Sequence, residues 1–211
     1  MSRENILHRV RTALGRSAGQ PAAEPPPPRI VVPVVEIEAR IASMRTRVEA
    51  LAGKTMRAPS PEAACALVAA ELDGRTAVAS NAPFLAECGI AALPGVQSGI
   101  TDREELRQAC AVADVGITSA DYALADTGTL VMIASPAEAR LVSLLPPAHI
   151  AVVPSGRILT GLDELFAVVP QPAEVTSSMV LITGPSRTAD IEQFLVRGVH
   201  GPGAIAVVIV G

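Results

Sequence analysis

The chain has 211 residues and a formal net charge of −4, with three Phe, one Tyr and no Trp. That length suits one domain of ordinary size plus an extension, enough to bury a real core. The acidic balance and the scarcity of aromatic rings exclude nucleic acid as an expected partner, because neither a basic field nor base-stacking surface is present.

No apolar run reaches the ~18 residues of a membrane span. The opening residues Met1–Asn5 also lack the apolar core of a signal peptide, so the expected location is cytoplasmic. Ser2 to Leu14 predicts a helix, capped by Ser2 and carrying Ile6, Leu7, Val10 and Leu14 on one stripe. Gly15 to Arg29 is a proline-rich tether without a core of its own. Residues 1–29 therefore read as an extension and residues 30–211 as the domain. The tethered helix docks on its own domain or on another chain, which makes a homo-oligomer one expectation, or else it is a frayed terminus.

Glu36 to Ala50 predicts a second helix with Ile37, Ile41, Met44, Val48 and Leu51 inward, ended by Gly53. An alternation then begins. Met56–Ala58 is a weak strand, and Ser60 caps a helix from Pro61 to Leu72. Thr76–Ser80 is a strand, Pro83–Cys88 a short helix, and Asp102 caps a helix to Cys110 that leads into a strand, Val112–Thr118. Strand–helix–strand repetition predicts an α/β layered fold with a parallel sheet. Ala120–Asp126 reads as a short turn or helix before the strand Gly128–Ala134. Ser135-Pro136 opens a brief helix through Arg140 to Leu145, and His149–Val153 returns as a strand. A helix to Phe166 follows. Met179–Ile182 and Ala204–Val210 read as short, fully buried strands. The second half is rich in strands and tight turns, which makes the sheet mostly parallel or mixed.

Between those last two strands lies Thr183–Gly203, far longer than the 2–6 residues a mere connection needs. It concentrates Gly184, Ser186, Arg187, Thr188, Asp190, Glu192 and His200, and long loops on a rigid sheet are where such folds keep their chemistry. Arg187 is placed to fork onto a carboxylate or phosphate, or to pair with Asp190 or Glu192. Ala189–Glu192 reads as the start of a helix. A second constellation is Asp126-Thr127-Gly128-Thr129, whose glycine lets backbone amides approach an anion while two hydroxyls add donors. The same four residues also suit an ordinary tight turn. Together these residues point to a small carboxylate or phosphate ligand, with Asp126 and His200 as candidate catalytic groups. His149 heads an apolar strand and reads as packed. Cys65, Cys88 and Cys110 form no metal-ligand spacing, which predicts no cofactor or metal in this chain.

Four ordered words, Ala125–Val131 (ADTGTLV), Ser143–Pro154 (SLLPPAHIAVVP), Thr183–Glu192 (TGPSRTADIE) and Gly198–Pro202 (GVHGP), resemble the lactate-utilisation protein C family of the LUD domain group. The resemblance covers about residues 30–211. It implies a three-layer α/β sandwich like the sugar-isomerase and CoA-transferase folds. It also implies a part in oxidising L-lactate to pyruvate beside two iron–sulfur partner proteins, which would carry the clusters. A fold analogy supplies the alternative: an acyl- or CoA-transfer enzyme with Asp126 as carboxylate nucleophile.

Overall fold

A computed structural model describes residues 2–21, 30–189 and 195–211. Its helices start where the capping chemistry places them. Ser2 accepts from the Asn5 amide at the head of α1 (Arg3–Ala13), and α2 spans Ile37–Ala50. Ser60 accepts from the Ala63 amide, with Pro61 at the first turn of α3 (Pro61–Leu72). After α4 (Pro83–Glu87), Asp102 accepts from the amides of Glu104 and Glu105 to open α5 (Arg103–Val112). Each cap satisfies amides that have no partner inside the helix, an effect worth about 1 kcal/mol.

Six strands form one wholly parallel sheet: β1 (Lys54–Ala58), β2 (Ala77–Ala79), β3 (Val96–Gln97), β4 (Val115–Ser119), β7 (Ala148–Pro154) and β12 (Ala204–Val210). Their spatial order is β1-β12-β7-β4-β2-β3, so the last strand of the chain lies inside the sheet. A separate four-stranded sheet contains β5 (Tyr122–Leu124), β6 (Thr129–Ile133), β8 (Ile158–Leu159) and β9 (Met179–Thr183) in the order β8-β5-β6-β9. A hairpin of β10 (Arg187–Ala189) and β11 (Leu195–Arg197) projects from the long C-terminal loop.

The core follows from strand alternation. In β12, Ala206, Val208 and Val210 pack with Val68 and Leu72 of α3. Ile205, Val207 and Ile209 point the other way, onto Ile41, Met44 and Val48 of α2 and Leu130 and Met132 of the small sheet. The small sheet's outer face is closed by Leu165 of α7 (Leu162–Val168) against Leu124 and Val131. Beside β4, α6 (Arg140–Leu144) comes so close that a methyl at Gly116 would sit 1.8 Å from the Val142 carbonyl oxygen.

The α/β architecture stands, while several local expectations change. The mixed strand pairing belongs to a second sheet, and the main sheet is purely parallel. Part of Ala120–Asp126 is the strand β5, because Tyr122–Leu124 pairs with both β6 and β8. β9 is an edge strand: Val180 and Ile182 face the core while Leu181 is 43% exposed. Ala189 ends β10 in register with Leu195, and residues 190–192, read as continuing into a helix, lie outside the described residues.

None of the residues of α1 is buried, and Ile6, Val10 and Leu14 lie open on its surface. Deleting residues 1–28 is therefore expected to leave the cooperative thermal melt of the body in place; a lost or broadened transition would place α1 in the core. Gly116→Ala is expected to destabilise the fold by about 1–3 kcal/mol or more, since the backbone it meets cannot yield cheaply. Urea unfolding measures it, and a neutral result would contradict the close approach of α6.

Candidate functional site

The Asp126–Thr129 segment is the turn between β5 and β6, folded tightly over α2. Gly128 is buried at φ +70°, where a methyl would fall 2.8 Å from Arg47 Cβ and 2.9 Å from the Val48 amide nitrogen. A side chain is barred twice over, by conformation and by space. Asp126 is exposed and its amide donates to the Thr160 carbonyl, while Gly161 packs on its carboxyl. From there a chain of hydroxyls runs inward. Thr127 Oγ1 donates to Asp126 Oδ1 (3.1 Å) and pairs with Thr129 Oγ1 (2.8 Å), which pairs with Thr183 Oγ1 (2.8 Å). Thr129 and Thr183 are register partners across β6 and β9, so antiparallel pairing joins the two constellations that lie 54 residues apart.

Beyond Thr183 the chain turns at Gly184 (φ +74°), packed on Leu51. The Ser186 amide donates to the Pro202 carbonyl (2.8 Å), and the Gly198 amide donates to the Ser186 carbonyl (3.1 Å). The exposed Arg187 guanidinium donates to the carbonyl of Leu51, the C-cap of α2, where cationic donors complement unpaired carbonyls. Ala52, the next residue, holds φ +62°, an uncommon conformation for alanine. Gly184, Ser186, Arg187 and His200 line one cleft of about 410 Å³ with Leu51, Ser143 and Leu144. Thr188 is half-buried in the hairpin, paired with Val196. Asp126 instead lines a different cleft with Thr160 and Asp163. The two candidate catalytic groups, Asp126 and His200, thus line separate clefts, and the threonine chain runs from Asp126 to Thr183 in the lining of the second. Asp190 and Glu192 lie outside the described residues.

A third concavity went unnoticed in the sequence. From β2 the chain runs outward to β3, then returns past β2 to β4, so the connections after β2 and β4 leave in opposite directions. Such a switch point leaves a crevice at the carboxyl ends of the strands. Here it is a cleft of about 440 Å³ lined by Phe84, Ser119, Asp121, Tyr122, Glu138 and Arg157 among others. Glu138 is 5% exposed. Its Oε2 accepts from Ser80 Oγ (2.8 Å) and from the Ser119 amide (3.3 Å), while Oε1 has no partner among the described residues. Burial, with the negative charge of Asp121 adding to it, pushes this carboxyl up to about 8. Asp121 is also raised, chiefly by burial, and accepts from the Ile133 amide at 2.6 Å. Arg157 lies over the Tyr122 ring at 5.2 Å and donates to its hydroxyl.

Ser135-Pro136-Ala137-Glu138 has the S-x-x-E spacing of a helix-capping box, and nothing in that spacing marks Glu138 as a buried carboxyl. Half of that box forms: the Glu138 amide donates to Ser135 Oγ at 3.0 Å. The carboxyl, however, turns inward to Ser80. Helix α6 starts only at Arg140.

Two further polar features are structural. His149 is 1% exposed, with Nε2 2.8 Å from Thr118 Oγ1, and its pKa is lowered to about 4 by burial. Cys88 and Cys110 are free thiols, raised to about 11 chiefly by burial, which keeps them unreactive. No group of metal-ligating side chains occurs among the described residues, and no helix there is long and apolar enough to cross a membrane.

Comparison with known proteins places this geometry. A model of the LUD domain matches residues 41–210. Relatives named lactate utilization protein C include those of Halalkalibacterium halodurans, 41% identical over 106 residues, and Bacillus subtilis, 42% over 102 residues. The first alignment covers 48% of this chain and 46% of the relative, the second 46% and 42%, so each spans about half of both proteins or a little less. The protein of that name from Geobacillus thermodenitrificans aligns at 29% identity over 99% of this chain and 96% of its own. The crystal structure of a DUF162 family protein from Deinococcus radiodurans superposes with a TM-score of 0.64 at 19% identity, over 84% of this chain and 100% of that one, a likeness of fold alone.

Among the buried titratable groups, Glu138 and His149 set opposing pH slopes near neutrality. Glu138 is held near 8 in the fold against 4.5 as a free side chain, so the unfolded chain releases a proton that the folded chain keeps, and stability falls as pH rises from 4.5 towards 8. His149, lowered from 6.5 to about 4, costs stability as pH falls across that window. The slopes offset one another between about 4.5 and 6.5, leaving the Glu138 decline exposed on the alkaline side. Glu138→Gln is expected to remove that decline in urea unfolding series from about pH 6 to about pH 9. An unchanged profile would show that Glu138 is ionised in the native chain.

Proposed function

The chain belongs to the LUD domain family, and from that premise we propose that it is a non-iron–sulfur component of a multi-protein system oxidising L-lactate to pyruvate. In this reading it works beside two iron–sulfur proteins and is cytoplasmic. Its relatives' name, lactate utilization protein C, supports the process. One observation about the chain itself carries the reading furthest. Parts of three of the words that resemble that family lie far apart in sequence and meet at one cleft. Ser143 and Leu144, Thr183 to Arg187, and His200 to Pro202 share one cleft, and the Thr129–Thr183 hydroxyl pair ties the fourth word to it.

The donors around that cleft suit a small carboxylate or phosphate: the Ser186 hydroxyl, the His200 imidazole and the Arg187 guanidinium, while the Ser143 hydroxyl is bonded to the Arg140 carbonyl and that of Thr183 to Thr129. A guanidinium has five N–H donors, so the bond to Leu51 leaves others for an anion. Gly184 and Gly201 leave the cleft floor without side chains, which lets a ligand approach the backbone. The transferase alternative draws no comparable support. Asp126 is exposed, bonded to Thr127 and packed on Gly161, with no base or cation beside it among its observed contacts.

The chain purified alone is expected to reduce no dye with L-lactate, and to do so when combined with the two iron–sulfur proteins of its system. Arg187→Ala removes a charged hydrogen bond worth about 1.5–3 kcal/mol. The lactate-dependent rate of the combined system should therefore fall roughly ten- to hundredfold, with the melting temperature little changed. Dye reduction by the chain alone, or a combined rate indifferent to its presence, would overturn the reading.

A further inference from the structure

The switch-point cleft between β2 and β4 is separate from the Arg187–His200 cleft and carries its own chemistry. Its floor is Glu138, a carboxyl with one oxygen bonded to Ser80 and Ser119 and the other without a partner among the described residues. Buried polar atoms are nearly always paired, and an unpaired one, as His149 Nδ1 also is, calls for an explanation; for Glu138, which lines a cleft, a water or a ligand supplies one. The carboxyl accepts no bond from a cation: no salt bridge involves Glu138 among the described residues. A carboxyl in such surroundings keeps its proton and can give one hydrogen bond while accepting another, which matches a hydroxyl or keto oxygen.

The walls add two more requirements. The chain has only four aromatic residues, and two of them, Phe84 and Tyr122, line this cleft. They offer an apolar body a place to lie. The exposed Arg157 lines the same cleft, held by the Tyr122 ring and hydroxyl, and has further N–H donors to offer a carboxylate. The volume, about 440 Å³, lies within the range of small-molecule sites.

We propose that this cleft binds an organic acid with an apolar or planar body and a hydroxyl or keto oxygen, the carboxylate held by Arg157 and the oxygen by Glu138. The site stands on its own geometry and does not depend on the partner proteins. Its failure is therefore distinguishable from failure of the lactate-system reading, which is measured with those partners present.

The test is amide NMR of the full chain titrated with L-phenyllactate, phenylpyruvate and 3-phenylpropionate, the last having ring and carboxylate without the second oxygen. L-phenyllactate or phenylpyruvate is expected to perturb Ser119 to Tyr122 and Ile133, leaving Thr183 to Arg187 unmoved. 3-Phenylpropionate is expected to bind about tenfold more weakly or worse, because it leaves the Glu138 carboxyl unpaired. Arg157→Ala and Glu138→Ala should each weaken L-phenyllactate binding on the order of tenfold or more. Glu138→Gln, which keeps a donor and an acceptor in the same shape, should retain binding within a few-fold and guards against misfolding of the alanine variant. The proposal is overturned if none of the three acids binds, if 3-phenylpropionate binds as well as L-phenyllactate, if Arg157→Ala binds like the parent, or if the perturbed amides cluster at Thr183 to Arg187.

Discussion

The placement of β12 is the constraint on which the rest depends. The last strand of the chain inserts between β1 and β7, with all seven of its residues in register with β7. Until it is in place, β1 has no sheet partner and the two faces of the core have no centre. Its two sets of side chains then close both layers at once, one onto α3 and the other onto α2 and the small sheet. Such long-range parallel pairing has to overcome a large loop-closure entropy before it gains any contact, and the burial of nearly all of β12 and of the middle of β7 offsets it. The Thr183–Gly203 loop gains its position from the same event, because β12 anchors its end.

Two close backbone approaches turn that frame into a scaffold for sites. At Gly128 the β5–β6 turn lies on α2, and at Gly116 the carbonyl of Val142 lies on β4. In both places a Cβ would displace a neighbouring helix. The first contact aligns Thr129 with Thr183 and thereby the loop that bears Ser186 and Arg187. The second seats α6, whose residues Ser143 and Leu144 complete the same cleft. The chemistry thus rests on packing tolerances below the size of a methyl group.

Charge inside the molecule is used sparingly. His149 is neutral and packed between strands, bonded to Thr118, where an imidazole serves as a polar spacer in an aliphatic layer. Glu138 is different. It lies at the crevice that the chain reversal between β2 and β4 creates, a location set by topology and independent of what the side chains are. A carboxyl kept protonated in a crevice is a different chemical object from the exposed Asp126, although the sequence writes them with similar letters.

Much of the architecture was legible from residue order because its causes are local. Ser2, Ser60 and Asp102 cap helices through atoms a few residues away, and β-branched runs such as Ala204–Val210 have one conformation that packs. The same holds for the Gly/Thr turn at Asp126–Thr129 and for the concentration of polar residues after Thr183. Other features were decided by the tertiary structure alone. Whether Met179–Thr183 is central or at an edge depends on which strand pairs with it, and hydrophobic composition is the same in both cases. Whether Arg187–Ala189 is a strand depends on Leu195–Arg197 beside it. Glu138 makes one local bond, through its amide to Ser135, of the kind that spacing records. Its carboxyl answers to Ser80 and Ser119, 58 and 19 residues away. Spacing along a chain records forces between near neighbours, while a buried carboxyl is defined by the groups that folding brings around it.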